Sequence, residues 1–216
     1  MTTLLPSDVT ALFTHANNQY RFARWERPIA PIVFGVEDQT LQIVKGAIEA
    51  MAVLVGHQMA ETDPELGSNF YVFFIRDWSE LTDTPNMDQL IPELENVVGR
   101  LQVANATQYR AFRFEDTGAI QAAFLFVRMT DEMQDVPADL IAIEQAVRGL
   151  CLWSETAFKD RAFFMRDDEG HMALAPEIAA IAAAAYDRVM PVAADDASHG
   201  LRLFARLDAS VTGGAA

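Results

Sequence analysis

Apolar residues recur every three or four positions in three stretches of the chain, which is the spacing of amphipathic helices. It predicts helices over residues 39–56, 87–104 and 137–150. The third stretch can begin with Pro137, which suits the first turn of a helix. One of its faces is apolar and consists of Leu140, Ile143, Val147 and Leu150. We therefore interpret it as a buried central helix.

Strand patterns lie between these helices. Residues 69–76 form a continuous β-branched and aromatic run, which is typical of a buried strand. Residues 28–36 are extended and contain two prolines, which suit an edge strand or the start of a strand. Residues 107–115 and 119–129 flank an Asp-Thr-Gly turn and predict a hairpin. The pattern as a whole predicts an α+β fold, with a mixed, mostly antiparallel sheet of about four strands backed by helices.

The sequence predicts one main domain with a short segment at each end of the chain. Residues 1–20 are expected to hold an N-terminal helix, and residues 21–207 a single α+β domain whose helical lobe starts at about residue 137. Residues 176–190 of that lobe predict an Ala-rich helix. Residues 208–216, after the domain, predict a flexible tail. The first residues carry neither a basic segment nor a long apolar run, so the sequence as written predicts a cytoplasmic protein, or an exported one if a signal segment is missing.

The net charge of the chain limits the kinds of molecule that it is expected to bind. The 216 residues contain 16 Lys and Arg against 31 Asp and Glu, a formal net charge of −15, which argues against binding to a phosphate backbone. We expect no nucleic acid or membrane partner, but an unknown protein or small molecule, with the oligomeric state open. In the predicted hairpin, Arg110 and Arg113 are both assigned to the polar face of the first strand. Cys151 is the only cysteine and is interpreted as a buried structural thiol.

Short segments of the chain resemble a bacterial domain family of unknown function, over roughly residues 20–191. Members open with Arg-Trp-x-x-Pro-Ile, which this chain matches with Arg24, Trp25, Pro28 and Ile29. Later matches are a helix ending Gly149-Leu150, the turn from Phe164 to Asp167, and Ala185-Tyr186-Asp187. The resemblance implies export, which the N-terminus does not support, and it implies no particular activity.

The order of elements also resembles the layout of zincin metalloproteases. Such enzymes place His-Glu-x-x-His on the central helix, because two imidazoles one turn apart bind one zinc ion. Aligning Gly149-Leu150 with the end of that helix puts Ala142, Ile143 and Ala146 at the three functional positions. None of these can bind zinc, so we expect no metal, no cofactor and no proteolysis. The acidic turn at residues 167–170 does not match a calcium loop either.

Two hypotheses follow for the region of the central helix. The first is a non-catalytic zincin-like module that binds a protein or small ligand in a cleft, with Trp153, Phe158, Phe163, Arg24 and Trp25 as candidate ligand-binding residues. The alternative is a hydrolase, with or without a metal, and its weak catalytic candidates are Glu144, Arg148 and Glu155. The alternative can also use the carboxylates of residues 167–169 as base or ligand. It predicts that at least two of these carboxylates, or one of them with His57 or His171, lie within hydrogen-bond reach across a pocket.

Overall fold

The computed structural model of the protein describes residues 4–159, 162–166 and 172–212. Its strands are β1 Phe22–Ala23, β2 Pro31–Phe34, β3 Phe70–Ile75, β4 Gln108–Phe114, β5 Ile120–Arg128, β6 Phe164–Arg166, β7 Met172–Leu174 and β8 Ala193–Ala194. Its helices are α1 Pro6–Ala11, α2 Asp38–Leu54, α3 Ser79–Asp83, α4 Met87–Leu90, α5 Leu94–Val103, α6 Ala138–Leu150, α7 Pro176–Ala185 and α8 Ser198–Thr212. The α+β class is confirmed.

The main sheet has four strands in the order β2-β3-β5-β4. β3 pairs in parallel with both β2 and β5, and the hairpin of β4 and β5 is antiparallel. A mixed four-stranded sheet is therefore confirmed, whereas the prediction that it is mostly antiparallel is wrong. Helices carry the chain across the sheet between β2 and β3 and again between β3 and β5, and such crossovers produce parallel neighbours. The uninterrupted apolar run of β3 is typical of parallel strands buried on both faces.

Helices cover both faces of this sheet. On one face, α2 and α6 form a single core with β3 and β5, which includes Val44, Ile48 and Val147. On the other face, the segment from α3 to α5 packs a second core around Trp78, Leu81 and the ring of Phe126. The predicted buried central helix is thus confirmed as α6, which lies against the sheet. Of its predicted apolar face, Val147 and Leu150 are buried, whereas Leu140 and Ile143 are only half-buried.

The helix predicted over residues 87–104 is two helices, α4 and α5. Pro92 lies between them, and proline inside a helix removes a hydrogen bond and clashes with the preceding turn. Glu93, the next residue, has a positive φ of 54° that no continuous helix contains. α3 lies in the connection between β3 and α4, where the Trp78 side chain donates from Nε1 to the Ala106 carbonyl at 2.8 Å.

The two ends of the chain meet in the C-terminal lobe. α1 packs on α8, and β1 pairs with β8, so Val9 and Leu203 belong to the main core. α7 ends at Ala185, before the predicted end at residue 190, and α8 extends to Thr212, into the predicted tail. Residues 213–216 and the acidic turn at residues 167–170 lie outside the described residues. No helix of the described ranges is long and apolar enough to cross a membrane.

Candidate functional site

A cleft of about 1080 Å³ lies beside the fourth strand of the sheet. One wall is β4, the second is the end of α6 with the segment that follows it, and the third is the loop of residues 15–21. Among the described residues, no strand pairs with the edge of β4 that borders this cleft. The cleft therefore combines an unpaired strand edge with the end of the central helix.

The phase of the hairpin determines which backbone groups of β4 point into the cleft. The Arg128 N–H donates to the Thr107 carbonyl at 2.8 Å, and antiparallel pairs alternate between bonded and non-bonded positions. Residues 109, 111 and 113 therefore bond to β5. The backbone N–H and carbonyl groups of Gln108, Arg110 and Phe112 point the other way, towards the cleft, until the irregular pairing after Arg113.

The charged side chains that line the cleft are mainly cationic. Arg21, Arg110, Arg148 and Lys159 all line it, against a single carboxylate, that of Glu155. The whole chain has nearly twice as many acidic as basic residues, so this composition is the reverse of the average surface. Aromatic rings complete the walls, among them Trp153 and Phe112.

Arg110 is half-buried at the base of the cleft, where it meets the end of α6. Its Nη1 donates to the Arg148 carbonyl at 3.4 Å and its Nη2 to the Ser154 carbonyl at 3.3 Å. A cation at this position is favourable because the last carbonyls of a helix carry partial negative charge. Burial, and then the charge of Arg148, lower the pKa of Arg110 to about 10, which leaves it protonated near neutral pH. No described carboxylate forms an ion pair with it.

Glu144 and Arg148, both predicted as catalytic candidates, bind each other. Arg148 donates from Nε and from Nη2 to Glu144 Oε1, at 2.7 Å in each case. Gln108 adds a third donor to the same oxygen at 3.1 Å. The Arg148 guanidinium also lies over the rings of Phe158 and Phe163, at 5.0 and 5.5 Å from their centroids. These two predicted ligand-binding aromatics therefore support Arg148 and are not part of the cleft lining.

Glu155, the third catalytic candidate, lies on the rim of the cleft. Its Oε1 is 3.3 Å from His15 Nδ1, and its Oε2 accepts the Ala16 N–H at 3.0 Å. Burial by itself would raise the pKa of Glu155, but hydrogen bonds from its own and the Ala16 backbone N–H, together with His15, lower it on balance. The carboxylate is thus kept ionised, which does not suit a general acid.

The partners expected for a hydrolase are placed elsewhere. His57 Nε2 contacts the Arg27 carbonyl at 2.9 Å, outside the cleft lining, and His171 lies outside the described residues. Glu144 and Glu155 each have separate partners, as described above. In the described parts of the chain, no group of three or more His, Cys, Asp or Glu side chains is arranged to hold a metal ion.

Trp153 is the predicted aromatic residue that does line the cleft, although only 2% of it is exposed. It stacks on Phe13 with ring centroids 4.9 Å apart. Its Nε1 donates to the Val147 carbonyl at 2.9 Å, inside the last turns of α6. Trp153 therefore fixes the segment after the helix and presents an edge to the cleft.

Arg24 and Trp25 lie outside the cleft lining. Trp25 is fully buried and donates from Nε1 to the Gly149 carbonyl at 2.8 Å. Arg24 donates to the carbonyls of Trp25 and Met190, at 3.0 and 3.2 Å. Ligand binding by these two residues has no support from the geometry. Arg24 and Trp25 instead connect the segment around β1 to α6 and to the C-terminal lobe through these hydrogen bonds.

Three cationic residues of the cleft, Arg21, Arg110 and Lys159, were not predicted as site residues because they are scattered along the chain. The assignment of Arg110 and Arg113 to one face of β4 was wrong, since residues three apart in a strand point to opposite faces. Arg110 faces α6, while Arg113 shares its face with Tyr109 and donates to the Gln89 carbonyl at 2.8 Å. Strict two-residue counting would have separated the two arginines.

Comparison of the chain with protein-family models, with curated proteins and with solved structures found no match. The resemblance to the bacterial domain family therefore rests on its short sequence matches, and the resemblance to zincin metalloproteases on the order of elements.

Proposed function

We propose that the protein is a non-catalytic, zincin-like binding module that holds an anionic ligand in the cleft between β4 and the end of α6. The observation that carries this proposal is the local reversal of charge: four cations and one carboxylate line the cleft of a chain with net charge −15. A cleft lined by one sign of charge concentrates ligands of the opposite sign. The excess of acidic residues in the chain as a whole disfavours the binding of anions elsewhere.

The order of elements supports the zincin-like part of the proposal. β2, α2 and β3 precede a hairpin, and the helix that follows the hairpin is the central one, as in the layout expected from the sequence. Ala142 and Ala146, at two of the positions where that layout has zinc ligands, are packed in the core. The face of α6 directed to the cleft instead carries Arg148, which argues for ligand binding without zinc chemistry.

A hydrolase remains the second candidate because His15 and Glu155 form a pair on the cleft rim. A histidine oriented by a carboxylate is the usual form of a general base. The other ring nitrogen of His15, Nε2, lies 3.2 Å from the Arg21 carbonyl and would have to leave it to accept a proton. This candidate predicts that an anionic peptide ligand is cleaved, whereas the binding module releases it intact.

The test is titration calorimetry with polyglutamate and with polylysine, in about 0.1 M salt, where charges more than about 10 Å apart are largely screened. We expect saturable polyglutamate binding that weakens as salt is added. Binding of polylysine alone would show that the average surface charge dominates and would refute the proposal. Mass spectrometry of the recovered ligand distinguishes the two candidates, since fragments would favour the hydrolase. Elemental mass spectrometry before and after chelation, with the melting temperature followed in parallel, tests for a metal.

A further inference from the structure

The lining of the cleft follows β4, whose outer edge pairs with no other strand of the described residues. Gln108, Arg110 and Phe112 direct their backbone groups towards it, and adjacent strand residues rise by about 3.3 Å, so the available edge is on the order of 13 Å long. Exposed strand edges bind extended chains, because the unpaired N–H and carbonyl groups form a template for another strand. A ligand with its own extended backbone would satisfy this edge, whereas a small anion would leave it unpaired.

The side chains beside that edge favour acidic residues in the ligand. Arg110 offers a guanidinium with no ion-pair partner among the described carboxylates. Arg148, which is paired with Glu144, lies next to it. Further along the strand, the guanidinium of Arg21 lies 4.3 Å from the ring centroid of Phe114. Arg110 and Phe114, which holds Arg21, lie four residues apart, and an extended chain with Glu at every second residue includes that spacing.

We propose, on the basis of the function proposed above, that the ligand is an acidic segment of another protein, which binds in extended conformation as an additional strand on β4 and places a carboxylate on Arg110. The bond pattern of β4 supplies the backbone contacts. Arg110 supplies a charge-assisted, bidentate contact, which is stronger and more directional than a contact between neutral groups.

Arginines on an edge strand can also serve only to prevent pairing with other chains. Fully exposed side chains are sufficient for that role, and Arg113 on the opposite face of β4 is exposed. Arg110 is instead half-buried and held by two carbonyls at the end of α6. A cation fixed in this way, at the base of a cleft, is positioned to receive a carboxylate.

The experiment measures fluorescence anisotropy of a labelled short peptide of alternating Thr and Glu. The matched variants are Arg110→Gln and Arg113→Gln, which remove the same charge from opposite faces of one strand. We expect Arg110→Gln to weaken binding by about tenfold to hundredfold, and Arg113→Gln to leave it within about threefold. Circular dichroism and the melting temperature check that each variant is folded. If Arg110→Gln does not fold, Arg21→Gln replaces it. We then expect Arg21→Gln to bind the peptide more weakly than Arg113→Gln does.

Backbone pairing is tested separately with two further peptides. One is N-methylated on the backbone at every Glu, and the other at every Thr. One of the two should lose binding, because only alternate N–H groups of an added strand face β4. Equal losses from Arg110→Gln and Arg113→Gln would overturn the assignment of the carboxylate site. If both methylated peptides bind as tightly as the parent, or if citrate competes as well as the peptide does, an extended strand is excluded. Polyglutamate binding would still support the proposed function in those cases.

Discussion

Gly149 is the point at which the central helix comes closest to the sheet, and replacing it by alanine is a sharp test of this packing. A Cβ at Gly149 would lie 2.2 Å from Cζ and 2.3 Å from Cε2 of Phe70, a fully buried residue of β3. Ordinary contacts of a Cβ are 3.4–4 Å. The ring or the helix must therefore move by about 1 Å or more in a close-packed region.

The free energy of this change has two opposing parts. Overpacking a core costs about 1–3 kcal/mol, and an overlap of this size indicates the upper end. Alanine instead of glycine near the end of a helix gains at most about 1 kcal/mol. We expect Gly149→Ala to lower the free energy of unfolding by about 2 kcal/mol, and the melting temperature by about 4–8 °C for a chain of this length.

The matched control is Gly46→Ala in the middle of α2. A Cβ at Gly46 meets nothing within 4 Å, so only the gain in helix propensity remains. This variant should raise the free energy of unfolding by up to about 1 kcal/mol. The assay is urea unfolding followed by circular dichroism, with both variants and the parent in one buffer. The same chemical change should thus have opposite signs in the two helices.

A double-mutant cycle identifies the contact itself. Phe70→Leu removes the end of the ring, so its cost and that of Gly149→Ala should add to more than the cost of the double variant, by about 1 kcal/mol or more. Strict additivity would show that Phe70 does not oppose the new methyl group. A Gly149→Ala variant as stable as the parent would refute the described approach of α6 to the sheet.

Two further predictions concern buried polar groups. Burial, and then the charge of Arg202, lower the pKa of His199 to about 4, and its Nδ1 lies 2.6 Å from Tyr20 Oη. The neutral form is favoured in the folded protein, so the stability that it contributes is complete above the unfolded pKa of about 6.5 and is lost as the pH falls towards 4, by up to about 3 kcal/mol. Urea unfolding between pH 7 and pH 4 should show a smaller decline for His199→Gln, and an equal decline would contradict this origin. Asp63→Asn breaks a largely buried 3.0 Å ion pair with Arg27 and should lower the free energy of unfolding by about 2–3 kcal/mol, whereas Glu65→Gln, at an exposed partner of the same arginine, should cost less than about 1 kcal/mol. Equal costs for the two would show that burial does not determine their contributions.

Elements with a strong local pattern were predictable from the sequence. α2, α6, the buried strand β3 and the hairpin are each present where periodicity or turn chemistry predicted them. Cys151 is buried, as an apolar helix turn suggested. The break at Pro92 could also have been read locally, since proline interrupts helices regardless of context. The parallel pairing of β3 needed more than its own pattern, because its neighbours come from distant parts of the chain.

The candidate site was predictable only in part. Arg148, Trp153 and Glu155 belong to one continuous stretch, and all three line the cleft. Their roles depend on residues far away in sequence. Glu155 contacts His15, and the end of α6 receives Arg110 from β4. No local spacing connects these pairs.

What the sequence determined by itself was the set of helices and strands, the net charge and the absence of zinc ligands at three positions of the central helix. These follow from residue types and short-range periodicity, which act within a few residues along the chain. The tertiary structure decided the order of the strands, the position of β4 at an edge that no other described strand covers, and the gathering of four cations in an acidic protein. These features depend on which segments are packed side by side, and that is settled by burial of the apolar faces of the whole chain and not by any one stretch.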